Sequence, residues 1–405
     1  MNVIFLTLGK VITINDKSIY LDLLRCFIRD GHNVFIVTNS ERKEKKPTRI
    51  EKASNYSILH IKTGNIRECG LLEKGISTLL IDGQFKKAIK KFFKEIRFDL
   101  VIYSTPPITF SKTILYFKKR FDAKTYLLLK DIFPQNAVDL GILSTKGLKR
   151  IIYSYFRKKE QKLYSISDYI GCMSEANRRY IIDNNKGLCG ESNVEVSPNS
   201  YQVFPQSFLN KKEKDELYKK YNIPLDKTLF VYGGNLGKPQ DVPFIIKCLN
   251  RLKEYDRAFF IIIGKGTEKQ LLDNYSKSNG KNLLLIDYLP QDEYSRIIRA
   301  CDVGLLFLNY KFTIPNYPSR LLCYLEEGLP VLAATDSSTD IKETIEAGGF
   351  GFWCSSSDVN AFEKTVKNIC ESNHLTEMSK KARNFFEQNF DVEVVYKNII
   401  GHLIR

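Results

Sequence analysis

Ser319 and Arg320 are the residues best suited to binding an anion, because they follow a loop stiffened by Pro315 and Pro318 and open an apolar, helix-like stretch. Proline fixes φ and biases the residue before it away from helical geometry, so the helix should start at Ser319, a residue type suited to N-capping. The first N–H groups of a helix lack internal partners, and with the Arg320 guanidinium beside them they suit a phosphate. The pattern predicts a helix of about ten residues with Ser319, Cys323 and Glu327 on one face, then Gly-Leu-Pro and the apolar strand PVLAAT (330–335).

Two glycine turns offer the same chemistry. In VYGGNLGKPQD (231–241), Gly233, Gly234 and Gly237 follow a strand-like run, Asn235 can donate a hydrogen bond, and Lys238 can supply a counter-charge. In IIIGKGTEKQLL (261–272), Gly264 ends another such run, but no Gly-Lys-Ser/Thr follows at P-loop spacing. Glycines after a strand are also ordinary turn residues, so either turn alone is ambiguous. Lys130 and Asp131 follow the strand-like TYLLL (125–129), where α/β sheets bind ligands. They are candidates for acid/base or charge-stabilising work, although Asp131 also suits a turn cap before Pro134. His32, His60, His374 and His402 have no metal-ligand spacing, so no metal site is expected. Trp353, in GGFGFWC, reads as a packing residue.

These groups need a scaffold, and the chain supplies two. In the first half VIFLTL (3–8), VFIVT (34–38), LVIYS (100–104) and TYLLL alternate with helical periodicity, which implies a parallel doubly wound sheet. After a charged connector, LFVYGG (229–234), AFFIIIG (258–264), LLLID (283–287), VGLLFL (303–308) and PVLAAT repeat the pattern. The predicted fold is α/β, two tandem Rossmann-like units facing a cleft, with domains at 1–205 and 206–385 and a C-terminal helix, 386–405, packing back on the first.

The net charge of +16 is uneven: residues 1–200 carry +15 and the remainder +1. Such asymmetry suits an anionic partner, and without zinc-finger spacing or RNP-type aromatics a membrane surface is favoured over nucleic acid. The segment GQFKKAIKKFFKEIR (83–97) reads as an amphipathic helix with Phe85, Ile89, Phe92 and Ile96 inward and lysines outward. ERKEKKPTR (41–49) and LKRIIYSYFRKK (148–159) add to this basic half. No apolar run approaches the length of a transmembrane helix, and the N-terminus lacks the pattern of a signal peptide. Nine scattered cysteines without Cys-x-x-Cys fit reduced thiols, so the expected location is cytoplasmic, peripheral on the inner face of the cytoplasmic membrane.

The tandem sheets, the GGNLGK and IIGKG turns and PSRLLCYLEEGLPVLAATD together resemble a family 4 glycosyltransferase of GT-B type over nearly the whole chain. KDIFPQNAVDLG and IPNYPSRLL are most similar to bacterial O-antigen and capsule enzymes of the N-acetyl-L-fucosaminyltransferase-like group. The resemblance implies a nucleotide-sugar donor held by the second domain, a lipid-linked saccharide acceptor held by the first, and metal-independent transfer with retention. Ser319 and Arg320 match the diphosphate contacts, and Asn316, Tyr317 and Pro318 the sugar-facing backbone. Gly234, Asn235, Lys238, Gly264 and Cys323 join them as donor-side residues, and Gly9, Lys10, Thr105 and Lys130 are placed on the acceptor side, with Asp131 and Lys238 as the catalytic pair.

The sequence departs from the family pattern where two glutamates are usual, at Pro315 and Cys323, and where a basic clamp is usual, at Asn235 and Gln240. The family's first-domain histidine falls on Lys130. No cofactor is expected beyond the nucleotide-sugar substrate, read as a UDP-sugar, with a 6-deoxy or N-acetylamino sugar in view. The rival readings are a nucleotide-sugar 2-epimerase of the same fold and a non-catalytic basic membrane or nucleic-acid binding module.

Overall fold

The computed structural model describes residues 1–67 and 69–403, so the last two residues of the 386–405 segment lie outside the described residues. The chain divides into two compact units, residues 1–202 with the segment from 392 onward, and residues 203–391.

The first unit is built on eight strands: β1 (Asn2–Leu6), β2 (Asn33–Glu41), β3 (Arg49–Lys52), β4 (Tyr56–Thr63), β5 (Leu100–Ser104), β6 (Lys124–Leu129), β7 (Tyr169–Cys172) and β8 (Val194–Val196). Their order is β3-β4-β2-β1-β5-β6-β7-β8. All neighbours are parallel except β3, which pairs antiparallel with β4. This edge strand, RIEK, corrects the expectation of a wholly parallel sheet, and its charge suits an edge that must not pair further. The sequence pattern also passed over β4, where His60 and Lys62 interrupt the apolar run, and over β7 and β8, which have only four and three residues. Continuous apolar runs such as LVIYS are buried throughout, as a sheet covered on both faces requires.

The helix expected at 83–97 instead spans Leu71–Phe92. Phe85 and Ile89 are buried as predicted, but the helix stops before Ile96 because the chain turns to insert Phe93 and Phe98 into the core. The helix Val392–Gly401 completes this unit, placing Val392, Val395, Tyr396 and Ile399 in the same core as Leu24 and Phe27 of the helix Ile19–Arg29.

The second unit has six parallel strands: β9 (Thr228–Gly233), β10 (Ala258–Ile263), β11 (Leu283–Ile286), β12 (Val303–Phe307), β13 (Val331–Thr335) and β14 (Gly351–Ser355), in the order β11-β10-β9-β12-β13-β14. Trp353 lies on β14, and its Nε1 donates to Thr335 Oγ1 at 2.9 Å.

In each sheet the strand order reverses direction beside the first strand of the unit: between β1 and β5 in one, between β9 and β12 in the other. Connections leave such a point toward opposite faces and open a crevice at the strands' carboxyl ends.

Candidate active site

In the second unit, β9 and β12 pair only through Val303 with Phe230 and Gly304 with Val231, then part. The Tyr324 hydroxyl fills the gap: it accepts from Gly233 N at 3.2 Å and lies 3.2 Å from both the Val231 and Leu305 carbonyl oxygens. Its ring occupies the space where a Cβ on residue 304 would stand, which explains Gly304. Tyr324 sits one helical turn after Arg320, so both point toward β9. The Arg320 Nε donates to the Gly233 carbonyl, and the guanidinium lies 4.7 Å from the Tyr232 ring centroid. A Cβ on Gly234, whose φ is +144°, would overlap that guanidinium.

The structure thus gathers Arg320 and the Gly233–Gly234 turn at the switch point, and corrects the reading of the helix itself. It spans Arg320–Glu326, seven residues. Ser319 stands at its N-terminal boundary with helical dihedrals, and its exposed hydroxyl makes no capping bond. Glu327 is not available on a ligand face with Ser319 and Cys323: it forms a two-point ion pair with Arg299, at 2.6 and 3.0 Å. The face turned to the sheet is the Arg320–Tyr324 one. Tyr324 was missed, although its four-residue spacing from Arg320 was a legible signal.

The two glycine turns pack on each other. Gly234 N donates to the Ile263 carbonyl at 2.8 Å and Leu236 N to the Lys265 carbonyl at 2.9 Å. A Cβ on Gly264 would overlap the Gly234 carbonyl, and one on Gly266 the Leu236 backbone. These glycines therefore permit backbone to approach backbone. Asn235 donates to Gln240 Oε1 at 2.9 Å, which also lies 3.3 Å from Gly237 N. Asn235 and Gln240, the two positions where the resemblance led us to expect a basic clamp, here brace one another, and Lys238 is an exposed cation of the turn. Asn309, just past β12, fixes the Lys238 backbone by donating to its carbonyl at 3.0 Å.

The approach loop is equally tied. Pro315 is buried, the Asn316 carbonyl accepts from Thr339 Oγ1 at 2.6 Å, and Pro318 precedes the helix half-buried. Burial pushes the Tyr317 phenol well above its ordinary range. Cys323 is half-buried.

In the first unit, Gly9, Thr105 and Lys130, the residues expected on the acceptor side, stand just past β1, β5 and β6, three adjacent strands. The Gly9 carbonyl accepts from Thr38 Oγ1 at 2.7 Å, and Lys10 is exposed. Thr105 Oγ1 accepts from Lys130 N at 3.0 Å, and Lys130 Nζ donates to the Ser197 carbonyl at 3.2 Å. Burial pushes the Lys130 ammonium down to about 7 and the Asp131 carboxyl up to about 6. Asn136, which sequence reasoning missed, donates to Asp131 Oδ1 at 2.7 Å and opposes the latter shift. A half-buried acid and base that both titrate near neutrality can exchange protons with a bound hydroxyl. Among the described residues no cluster of His, Cys, Asp and Glu is arranged to hold a metal ion.

Residues 213–385 match the family described as glycosyl transferases group 1. Over 329 residues the chain is 26% identical to "Probable glycosyltransferase WbjE" of Pseudomonas aeruginosa, covering 79% of this chain and 77% of the relative. It is 22% identical over 306 residues to WcaI of Escherichia coli strain K12, a glycosyl transferase assigned to colanic acid biosynthesis, covering 75% and 74%. Among solved structures, Anabaena Alr3699/HepE in complex with UDP-glucose aligns with a TM-score of 0.68 at 13% identity, over 100% of this chain and 99% of that one. The match to the group 1 glycosyl transferases thus lies within the second unit, and both units have the doubly wound fold of the GT-B neighbours.

Proposed function

We propose that the enzyme transfers a sugar, with retention and without a metal, from a UDP-sugar to a lipid-diphosphate-linked saccharide during assembly of a bacterial surface polysaccharide such as O-antigen or capsule. The observation that carries the donor side is the Arg320 guanidinium held at the Gly233–Gly234 turn at the β9/β12 switch point. Nε is committed to the Gly233 carbonyl, which leaves the terminal nitrogens beside Gly234 to meet a diphosphate. Lys238, Ser319 and the Asn235 amide would contribute to the same site, while the Gly234 amide is held by the Ile263 carbonyl and Gly264 lets the second turn pack close behind. Fixed cations and N–H dipoles stabilise a departing diphosphate in the role a metal fills elsewhere. Asn316, Tyr317, Pro318 and Cys323 would face the sugar and ribose. The UDP and UDP-glucose complexes of HepE support a uridine donor, and the relative assigned to colanic acid biosynthesis supports the polysaccharide role.

On the acceptor side, Asp131 would orient the acceptor hydroxyl or stabilise positive charge on the sugar ring. Lys130, standing where the resemblance led us to expect a histidine, would suit a donor that lacks a 6-hydroxyl. The +15 charge of residues 1–200 would hold the enzyme at an anionic membrane surface carrying the acceptor.

The test is thermal stability against UDP, GDP and ADP with EDTA present. A ligand at a hundred times its Kd adds about 2.7 kcal/mol to the folded state. UDP should raise Tm in EDTA, and Arg320→Ala should remove the rise. A chain indifferent to all three nucleotides would overturn the donor assignment.

A further inference from the structure

The first unit exposes two sets of large apolar side chains on the opening turns of two helices. On Leu71–Phe92, Leu72 is 82% exposed, Leu80 55%, Ile76 54% and Leu79 50%. On the helix Lys149–Ile166 and the residue before it, Leu148 is 88% exposed, Ile151 71%, Ile152 49% and Tyr155 42%. A scattered leucine on a surface needs no explanation, but two four-residue clusters at helical spacing do.

Both clusters lie at the same edge of the sheet. A helix that follows a parallel strand begins at that strand's carboxyl end and runs back. Contacts agree: Ser77 fills the space beside Gly64, immediately after β4, and the Thr78 carbonyl accepts from Thr109 Oγ1, just past β5. Phe156 stacks edge-on at 5.1 Å against Phe133, and Tyr153 reaches Gln135, both just past β6. This is the rim that carries Thr105, Lys130 and Asp131.

Along the chain through the second cluster the exposed charge has one sign. Between 142 and 162 the exposed cations are Lys146, Lys149, Arg150, Lys158 and Lys162, and Lys159 lies over the Tyr155 ring at 5.4 Å. The sole acidic residue of that stretch, Glu160, is buried against Arg157 and Tyr164. An apolar strip flanked by cations with no exposed acid matches the interface of an anionic bilayer, where side chains enter the acyl boundary and lysines stay at the headgroups.

We propose that the opening turns of these two helices insert Leu72, Ile76, Leu148 and Ile151 into an anionic lipid bilayer, seating the strand-end rim on the membrane from which a lipid-linked acceptor would come. This deepens the membrane reading above and rests on it for its purpose. It adds apolar insertion to charge attraction, and the two separate experimentally.

The full chain and two variants, Leu148→Ser/Ile151→Ser and Lys149→Gln/Arg150→Gln/Lys158→Gln, would be sedimented with vesicles of phosphatidylcholine alone and of phosphatidylcholine with phosphatidylglycerol. Wild type should bind only the anionic vesicles and keep a salt-resistant fraction. The Ser variant should lose about tenfold in partitioning and a large part of the salt-resistant fraction, the rest remaining with Leu72 and Ile76, while the Gln variant loses mainly the salt-sensitive part. Every substituted residue is exposed, and unchanged urea midpoints would verify folding. A separate Leu148→Trp variant adds an indole that brominated acyl chains should quench. If the Ser variant binds like wild type and the introduced indole is not quenched, insertion is refuted while the charge-driven reading survives. If wild type ignores anionic vesicles, both fall.

Discussion

Replacing Asp131 by asparagine should stabilise the first unit at pH 8 and leave it unchanged near pH 4. Burial holds the carboxyl up at about 6 against an ordinary value of 3.8, so the folded chain disfavours the ionised form. The cost is fully present above pH 6 and is relieved as pH falls through 6 toward 4, where the unfolded chain also protonates. At 1.36 kcal/mol per unit, the shift corresponds to about 3 kcal/mol, and partial solvent access reduces the expected gain to about 2 kcal/mol. Asparagine keeps the shape and an oxygen to accept from Asn136, whose bond to Asp131 spans 2.7 Å. The assay is urea unfolding of both proteins at pH 8, 6 and 4.5, comparing midpoints at a common m value. Lys130, which titrates at about 7, is present in both proteins, so its own pH dependence largely cancels in the difference. A variant no more stable than wild type at pH 8, or a gap that does not close on acidification, would show that burial does not strain this carboxylate. Lost transfer activity alongside gained stability would mark Asp131 as a group kept for function.

Tyr324→Phe should cost about 1 to 3 kcal/mol in urea unfolding, because it strips the Gly233 N–H of its buried acceptor, and it should weaken the UDP-induced rise in Tm. Gly264→Ala forces a methyl into the Gly234 carbonyl; overpacking should destabilise by about 1 to 3 kcal/mol and abolish the nucleotide response by parting the two turns. Lys238→Ala should leave stability within about 0.5 kcal/mol, since the side chain is exposed, yet lower kcat about a hundredfold or more in a transfer assay. Glu327→Gln should cost about 2 to 4 kcal/mol by stranding Arg299, and high salt should reduce that cost only slightly, which denaturation in 1 M NaCl would check.

The doubly wound class of both units, and the strand ends that carry the candidate residues, could be read from the order of amino acids alone. Unbroken apolar runs such as LVIYS and AFFIII can be satisfied only by a sheet buried on both faces, and the carboxyl ends of such strands are where ligand groups gather. Gly234, Lys130 and Asp131 were legible as candidates by their place at strand ends and Arg320 by its place at a helix start, although Gly234 and Asp131 read equally well as turn residues. Local pattern could not say which helix face meets the sheet. Ser319, Cys323 and Glu327 share a face as surely as Arg320 and Tyr324 do, and only the parting of β9 from β12 selects the second pair, by leaving three backbone groups that a buried hydroxyl must satisfy. The same holds for Glu327, drawn to Arg299 from another helix, and for Asn136, drawn to Asp131. Each of those pairings joins side chains whose approach is set by how separate segments pack, a property of the folded chain that no local stretch of sequence contains.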